Sequence, residues 1–349
     1  MEITIFAILL SVCILSLLED KIQKYNYNIY IIITIILILI SGFREVGFDR
    51  DSNNYEYYFS HYDDPSLELT VEFSFRLLSH LFYNLFRDVH SIFLLYAFIG
   101  ITLKMYAFRK LSTSYFLPVA IYLGYYYTLH DLTQIRAAIV SGLILCLIPL
   151  LYNKQNKAAL ILITIGCFFH YSAVSILPAI FFNKKEMTTR ERWIWSAIIP
   201  IGYLTYFSHF NVFTHIYIPY ITDKIEIYET LRDKGLVADE INVFNLVFIV
   251  KCIIYLYVLY FYDTIKQTCK YLPIILRFMG ISIFVYLFFA QLPVLSFRIG
   301  ELYGIVEILI FTYIVYTIRP HWLGSLITCF ISISLFIIYI FVQKILETI

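Results

Sequence analysis

The stretch LTQIRAAIVSGLILCLIPLLY, residues 132–152, decides the fold class of this chain. Arg136 is its one charged residue, and its length meets the roughly 20 mostly apolar residues that an α-helix needs to cross a bilayer. Stretches of the same kind recur along the chain and predict about ten membrane spans by hydropathy. The predicted spans are residues 3–18, 27–43, 89–108, 115–130, 132–152, 193–208, 241–262, 272–291, 298–318 and 322–342.

The composition excludes several classes of protein. Hydrophobic residues make up 60% of the 349 residues and charged residues 15%, whereas a soluble domain averages about 25% charged residues. Because so few charges cannot cover a water-facing surface, a soluble enzyme is excluded. The 26 lysines and arginines nearly balance the 25 aspartates and glutamates, which leaves no basic excess for binding nucleic acid.

The sequence lacks the signals of a metal or cofactor site. The six cysteines form no CxxC pair, and His209 and His215 lack the spacing and the carboxylate partners of a metal site. No Walker loop and no GxGxxG motif occurs, which argues against coupling to ATP or binding of a dinucleotide. We therefore predict neither a metal nor a cofactor.

Charges in the connections predict the orientation of the chain. Short basic connections mark cytoplasmic loops under the positive-inside rule. The two long connections, 44–72 and 209–240, are rich in acidic and aromatic residues and are expected outside. With the N-terminus outside, the sequence predicts an all-α polytopic protein. It would form a single integral membrane domain over residues 1–349, with 44–72 as the first extracytoplasmic loop and 209–240 as the large one.

Two apolar segments do not fit a simple crossing. Residues 73–86 are short and interrupted by Arg76 and His80, which suits an interfacial or re-entrant helix. Residues 158–182 have basic residues at both ends, so both ends are expected in the cytoplasm. A re-entrant hairpin of two short helices that meet near His170 satisfies this condition. Because irregular backbone at membrane depth is tolerated only where protein or water covers it, the hairpin indicates a functional site.

Polar residues at membrane depth are costly and are candidates for function by default. On the predicted topology, four sets that are distant in sequence converge on the extracytoplasmic half of the protein. These sets are Arg44, Asp49, Arg50, Asp51 and Tyr55; then His130, Asp131, Thr133, Gln134 and Arg136; then His170; and finally Arg298 and Glu301.

Each of these sets also has a structural interpretation. Arg44 could be an interfacial anchor that pairs with Asp49, and Arg136 could reach outward or pair with Asp131. His170 could be a hydrogen-bonded interior histidine, and Arg298 and Glu301 could form a local ion pair. Lys104 is expected close enough to the cytoplasmic end of its span to extend into water.

Five motifs follow one another between residues 40 and 305. They are FREVGFDRDSNNYEYYF (43–59), Glu72-Phe73-Ser74-Phe75, LTQIRAAI (132–139), FFHYSAVSILP (168–178) and SFRIGELY (296–303). In this order they resemble the motifs of the EpsG-type polysaccharide polymerases, a group that includes many O-antigen (Wzy) polymerases. Either of two aspartates can match the family's aspartate, because Asp49 fits the spacing from Gly47 and Asp51 fits the spacing to Tyr55.

The resemblance implies glycosyl transfer at the outer face of a bacterial inner (plasma) membrane. A growing glycan linked to undecaprenyl diphosphate would be moved onto one new lipid-linked repeat unit. The expected partners are therefore undecaprenyl-diphosphate-linked oligosaccharides as donor and acceptor, membrane lipids and a chain-length regulator, with no role for nucleic acid.

The chemistry of the candidate residues suits this reaction. Arginine offers a fixed bidentate fork to a diphosphate leaving group and keeps its charge, while the acceptor hydroxyl needs a base or an orienting acceptor. The expected substrate-binding residues are Arg44, Arg136, Arg298, Gln134, Tyr55 and Tyr303. The candidates for the catalytic role are His170, Asp49, Asp51 and Glu301. The loop 209–240 could close over the glycan as a lid.

Three other functions stay open at this point. A flippase or other transporter of lipid-linked oligosaccharides should place charges along a midplane path, often in repeated halves, and the sequence has no internal repeat. A membrane O-acyltransferase, or a ligase that moves the glycan to another acceptor, is a second alternative. A structural partner in an assembly complex would use its polar clusters only for packing. The one-sided polar cluster favours an enzyme over a transporter.

Overall fold

The computed structural model describes residues 1–67, 71–182, 185–208 and 241–346, and every regular element in them is helical. The predicted loop 209–240, with the lid expected there, lies outside the described residues. The chain forms two compact units. The first comprises Met1–Lys185, Phe261–Ile275 and Ile305–Ile349, and the second comprises Glu186–Tyr260 and Leu276–Gly304.

The helices follow the apolar stretches of the sequence. In chain order the described α-helices are α1 (Glu2–Leu18), α2 (Asn26–Gly42), α3 (Ser52–Ser60), α4 (Phe73–Phe86), α5 (His90–Leu111), α6 (Leu117–Gly124), α7 (Ile135–Tyr152), α8 (Asn156–Phe169), α9 (Thr189–Phe207), α10 (Leu246–Tyr260), α11 (Tyr262–Lys266), α12 (Leu272–Phe288), α13 (Pro293–Gly304), α14 (Glu307–Tyr313) and α15 (His321–Ile337). Short 3-10 helices cover Pro65–Leu67, Tyr171–Phe181 and Ile314–Thr317, and π-helices cover Tyr127–Thr133 and Ile338–Val342.

The lengths of these helices fit a membrane protein. Among the described residues, three helices are long and apolar enough to cross a bilayer, namely α5, α7 and the continuous helix His321–Val342. Further apolar helices are shorter, at 10–17 residues, and include α1, α2, α10 and α12. The described part of the chain is therefore all-helical and of membrane type, and the predicted number of ten spans is not confirmed.

Helices α5 and α7 form the central packing of the first unit because glycines let their backbones approach closely. A Cβ atom added at Gly142 would lie 2.8 Å from Leu103 Cβ and 3.2 Å from the backbone oxygen of Gly100. In lipid, the hydrophobic effect does not drive helices together. Small residues at such crossings let the helices associate through closer van der Waals contact.

This close approach gives a first testable prediction. Gly142→Ala should destabilise the first unit by about 1–3 kcal/mol, because Leu103 Cβ cannot move without its backbone. Gly300→Ala is the matched control, since the nearest atom to its added Cβ would be 3.8 Å away. The thermal unfolding midpoint of each purified variant in detergent is the measurement. Equal midpoints for the two variants would show that the crossing is not tight.

The segment that was predicted to cross at 115–130 is not one continuous helix. Helix α6 ends at Gly124, and the chain continues as the π-helix Tyr127–Thr133 before α7 begins. The wider turns of π-helices are rare and are frequently found at functional sites. Here the π-helix carries Asp131, whose carboxylate lies 2.9 Å from Lys104 Nζ in α5. A buried ion pair thus accompanies the break in the predicted span.

The segment 73–86 is a helix, as predicted. In α4, Phe75 and Ser79 are buried, whereas Leu77, Leu81 and Leu85 repeat every four residues and are exposed. An exposed apolar stripe along a helix with a polar opposite face is typical of a helix that lies in a membrane interface.

The segment around His170 bends back on itself. Helix α8 ends at Phe169, His170 is extended with φ −155° and ψ 121°, and the 3-10 helix begins at the next residue. A Cβ at Gly166 would lie 3.1 Å from Ala173 Cβ, so the two segments pack together. This agrees with the predicted hairpin, and the position of the hairpin relative to the membrane stays a prediction.

Candidate functional site

The carboxylate of Glu72 joins two predicted site residues that are far away in the sequence. Its Oε1 accepts a hydrogen bond from His170 Nδ1 at 2.6 Å, across 98 residues. Its Oε2 accepts a hydrogen bond from Arg136 Nη1, across 64 residues. Glu72 is 3% exposed, so this cluster of one anion, one cation and one histidine is largely sealed from water.

Local structure positions each member of the cluster at the end of a helix. Glu72 directly precedes α4, and its backbone oxygen accepts the first helical hydrogen bond, from Phe75. Arg136 lies in the first turn of α7, and His170 occupies the break between α8 and the following 3-10 helix. Three helix ends therefore meet at this cluster.

Charge within the cluster fixes the protonation state of Glu72. Burial alone raises the pKa of this carboxyl, but the hydrogen bond from His170 and the positive charge of Arg136 outweigh burial and lower the pKa to about 2. Glu72 is therefore an anion at neutral pH. An anion with so low a pKa is a weak base, so its chemical value lies in orienting its two neighbours.

The ionised Glu72 also sets the tautomer of His170. A carboxylate can only accept, so Nδ1 of His170 carries the proton, and the other ring nitrogen, Nε2, is then an acceptor in the neutral ring. The hydroxyl Oγ of Ser172 lies 3.2 Å from Nε2 and donates to it. The arrangement matches that of a general base whose ring is held by a carboxylate on its far side.

Tyr55 forms an aromatic wall beside the cluster. Its ring is buried, lies 5.5 Å from Arg136 Cζ, and contacts Phe75 and Phe93. Burial raises the pKa of Tyr55, so its hydroxyl stays protonated at neutral pH. The sequence-predicted residues Tyr55, Arg136 and His170 thus belong to one cluster, with Glu72 at its centre.

Arg44 and Asp49 are paired with each other inside the protein. Both side chains are 0% exposed, Arg44 Nε donates to Asp49 Oδ2 at 2.9 Å, and the guanidinium lies 3.9 Å from the centre of the Phe93 ring. The other carboxylate oxygen of Asp49 accepts the backbone N–H groups of Asp51 and Ser52, at the start of α3. This pair therefore holds the turn that leads into α3, which is the structural interpretation that the sequence left open.

The remaining candidates near this turn have separate positions. Asp51 is half-buried and directly precedes α3, while Arg50 is exposed and donates through Nη2 to the backbone oxygen of Lys344. Gln134 directly precedes α7, two residues before Arg136, and is half-buried.

The expectation for Lys104 was wrong. Its side chain does not extend into water but is 0% exposed, with Nζ 2.9 Å from Asp131 and 2.8 Å from the backbone oxygen of Ala138. Tyr122 donates its hydroxyl to the same carboxylate at 2.6 Å. Asp131 is therefore the partner of Lys104, and Arg136, which could have paired with Asp131, binds Glu72 instead.

The late candidates lie in the second unit, on α13. Arg298 is exposed, Glu301 is half-buried, and Tyr303 is buried with its ring 5.3 Å from Phe278. Elsewhere among the described residues, no group of three or more His, Cys, Asp or Glu side chains could hold a metal ion.

Glu72 is the functional candidate that reasoning from residue types passed over. It is an acidic residue in a predicted outer loop, and only its position in the second motif, before an aromatic-rich helix, singled it out. That signal was available, but nothing in the local sequence reveals that a helix 98 residues later brings a histidine against it.

Comparison with known proteins supports the order of motifs. No curated protein and no solved structure matches the chain. The sequence model of the EpsG family, in contrast, matches residues 27–347, which is nearly the whole chain and includes Glu72, Arg136, His170 and Arg298. This protein therefore belongs to the EpsG family.

Proposed function

We propose that this protein is a membrane glycosyltransferase that polymerises a polysaccharide. It transfers a glycan chain linked to undecaprenyl diphosphate onto a lipid-linked repeat unit at the outer face of the bacterial inner membrane, as in O-antigen synthesis. Family membership supports a role of polysaccharide polymerase type. The observation that carries the chemical part of the proposal is the bridge that Glu72 forms between His170 and Arg136.

In the proposed step, a hydroxyl group of the acceptor sugar donates its proton to His170 Nε2. Its oxygen attacks the anomeric carbon of the donor, the bond from that carbon to the diphosphate oxygen breaks, and the electron pair leaves with the diphosphate. Glu72 keeps the proton on Nδ1 and stabilises the imidazolium that forms, as a buried carboxylate does for a catalytic histidine. Ser172 must turn away from Nε2, or pass the proton on, for the acceptor to approach.

Arginine is the residue that we assign to the leaving group. The side chain of Arg136 is 17% exposed and uses Nη1 for Glu72, and its Nε has no acceptor within the described protein. Donors left over in this way can meet the diphosphate as its charge develops. On the strength of their sequence motifs, Arg298 is proposed as a further diphosphate contact, Glu301 and Asp51 as further candidate carboxylates, and Gln134, Tyr55 and Tyr303 as further substrate-binding residues.

Arg44 and Asp49 take a different place in this proposal. Because both side chains are 0% exposed and form an ion pair with each other, we assign them to holding the loop before α3. The wider setting remains part of the proposal: ten spans, an N-terminus outside, a site that faces the periplasm or exterior, and a chain-length regulator and membrane lipids as partners.

The proposed function can be tested in a strain that lacks this gene. Reintroducing the gene should restore long surface glycan, seen as a ladder of band sizes on a gel, because each catalytic cycle adds one repeat unit. A flippase would instead restore transport without setting chain length, and loss of a ligase would leave long lipid-linked chains. Accumulation of long chains in the deletion strain would therefore contradict polymerase activity.

The role of Arg298 makes a separate prediction. Arg298→Ala should reduce the ladder to single-repeat product at normal protein level, because one of the diphosphate contacts is lost. Arg50→Ala is a matched control, since Arg50 is also exposed and donates to the backbone oxygen of Lys344, at the other end of the chain. A full ladder from Arg298→Ala would remove this residue from the site.

A further inference from the structure

Exposed rings line one surface of the first unit, next to the Glu72 cluster. Tyr57 stacks on His61 with ring centres 4.3 Å apart, and Tyr62 stacks on His80 at 4.9 Å and contacts Tyr83 at 5.6 Å. Tyr57 is 47% exposed, the two histidines are exposed, and Tyr62 and Tyr83 are half-buried. These five residues are called the aromatic strip.

Hydrogen bonds and ring packing hold the aromatic strip in place. His61 Nδ1 lies 3.0 Å from the backbone oxygen of Tyr57, and Arg76 Nε donates to the backbone oxygen of Tyr62 at 3.2 Å. The buried ring of Phe59 packs against Tyr83 at 5.5 Å. The rings are thus pre-ordered, so a ligand that covers them loses little conformational entropy of the protein.

Tyr83, one ring of the strip, lies away from the exposed leucine stripe of α4. At 3.6 residues per turn, Tyr83 lies about 160° around the helix from Leu81, which is the centre of the exposed leucine stripe. Arg76 lies on the same side as Tyr83, within about 20°. Tyr83 lies on the side of α4 that also carries the buried Ser79 and is itself half-buried, so the accessible rings of the strip are those of Tyr57, His61 and His80.

The chemistry of the strip fits a carbohydrate. The face of an aromatic ring carries negative partial charge and attracts the C–H groups on the flat face of a sugar. Glu56 and Asp63 are exposed beside the rings, and their carboxylates can accept hydrogen bonds from sugar hydroxyls. Flat rings that alternate with acceptors match a chain of sugars better than they match an apolar or an anionic ligand.

The strip is also continuous with the candidate site. Tyr57 of the strip lies beside Tyr58, with ring centres 6.1 Å apart. The ring of Tyr58 contacts Phe75 at 6.5 Å, and the buried Phe75 lies 6.0 Å from Arg136 Cζ. Along α4, His80 follows Glu72 by eight residues, a rise of about 12 Å. We propose that the aromatic strip binds the sugar units of the glycan that neighbour the reacting unit. This proposal rests on the proposed polymerase function and adds to it a binding surface for the glycan chain.

Binding to the strip can be measured directly. The probe is a set of oligosaccharides of one to four repeat units, cut from the polysaccharide that the producing cell makes, and added to purified protein in detergent. Tyr57→Leu should weaken binding of the longer fragments by about 5- to 10-fold, the equivalent of one lost ring contact, while Tyr57→Phe keeps the ring and binds as wild type. Tyr106→Leu is the control, because Tyr106 is 57% exposed on α5, outside the strip.

In cells, Tyr57→Leu should shift the ladder towards shorter chains, while Tyr106→Leu leaves it unchanged. Wild-type affinity in Tyr57→Leu for every fragment length, or no binding by the wild type, would overturn the glycan surface. The polymerase function has its own test in Glu72→Gln and in the deletion strain. A failure of that function would therefore appear in those experiments, while the binding measurement still decides whether the strip holds sugars.

Discussion

Replacing Glu72 with Gln should abolish chain growth, with a loss of about 10²- to 10⁴-fold in the transfer rate and protein levels close to wild type. Gln keeps the shape of the side chain but removes its charge. The amide can no longer neutralise Arg136 while it accepts from His170, and its N–H₂ group favours the wrong tautomer of the ring. The measurement is the rate of repeat-unit addition by membranes, together with the ladder on a gel.

The loss should depend on His170 being intact. His170→Ala is expected to cost a similar factor, and the double variant should be no worse than either single one, because residues that act as a unit are not additive. Asp20→Asn is the control, since Asp20 is an exposed carboxylate at the end of α1. A full ladder from a folded Glu72→Gln protein would show that the cluster is structural.

The pKa of Glu72 adds a pH criterion. Because its pKa is lowered to about 2, below the ordinary value of 4.5, the charge interactions of Glu72 are complete above that ordinary value. They are lost only as the pH falls through the range down to about 2. A decline in activity between pH 7 and pH 5 must therefore come from the titration of another group. Removing the ionisable carboxyl of Glu72 in Glu72→Gln should not by itself shift that decline.

Lys104→Met should lower the free energy of unfolding by about 3–5 kcal/mol, because it leaves the Asp131 carboxylate buried without a cation. Both side chains are 0% exposed, and the hydroxyl of Tyr122 is the remaining side-chain donor to Asp131. The measurement is the thermal unfolding midpoint and the yield of monodisperse protein in detergent.

A double substitution separates charge from packing. Lys104→Met combined with Asp131→Leu removes both charges and should recover much of the lost stability, since replacing a buried pair by apolar side chains is often neutral or better. Lys110→Met is the control, because Lys110 is exposed on the same helix. A wild-type midpoint for Lys104→Met would mean that Asp131 finds another partner or is protonated without cost.

Reasoning from residue types selected Arg136 and His170 as candidates, because an arginine and a histidine within apolar stretches are costly unless they are paired, and in the structure both contact Glu72. The same reasoning placed Lys104 in water, because its distance from the end of α5 is compatible with a long side chain reaching out. It could not show that Gly100, one turn earlier, leaves room for the carboxylate of Asp131, with a Cβ there only 3.0 Å from Oδ1.

Composition and hydropathy were sufficient to establish an all-helical membrane-type protein, because the energetic cost of polar groups in lipid acts on each segment independently of the others. The order of five short motifs was sufficient for the EpsG family. The partner of each buried charge depended on folding. Glu72 meets His170 and Arg136, Lys104 meets Asp131, and Arg44 meets Asp49 only when separate helices pack, because an ion pair depends on distances of a few ångströms between segments that the sequence places tens of residues apart.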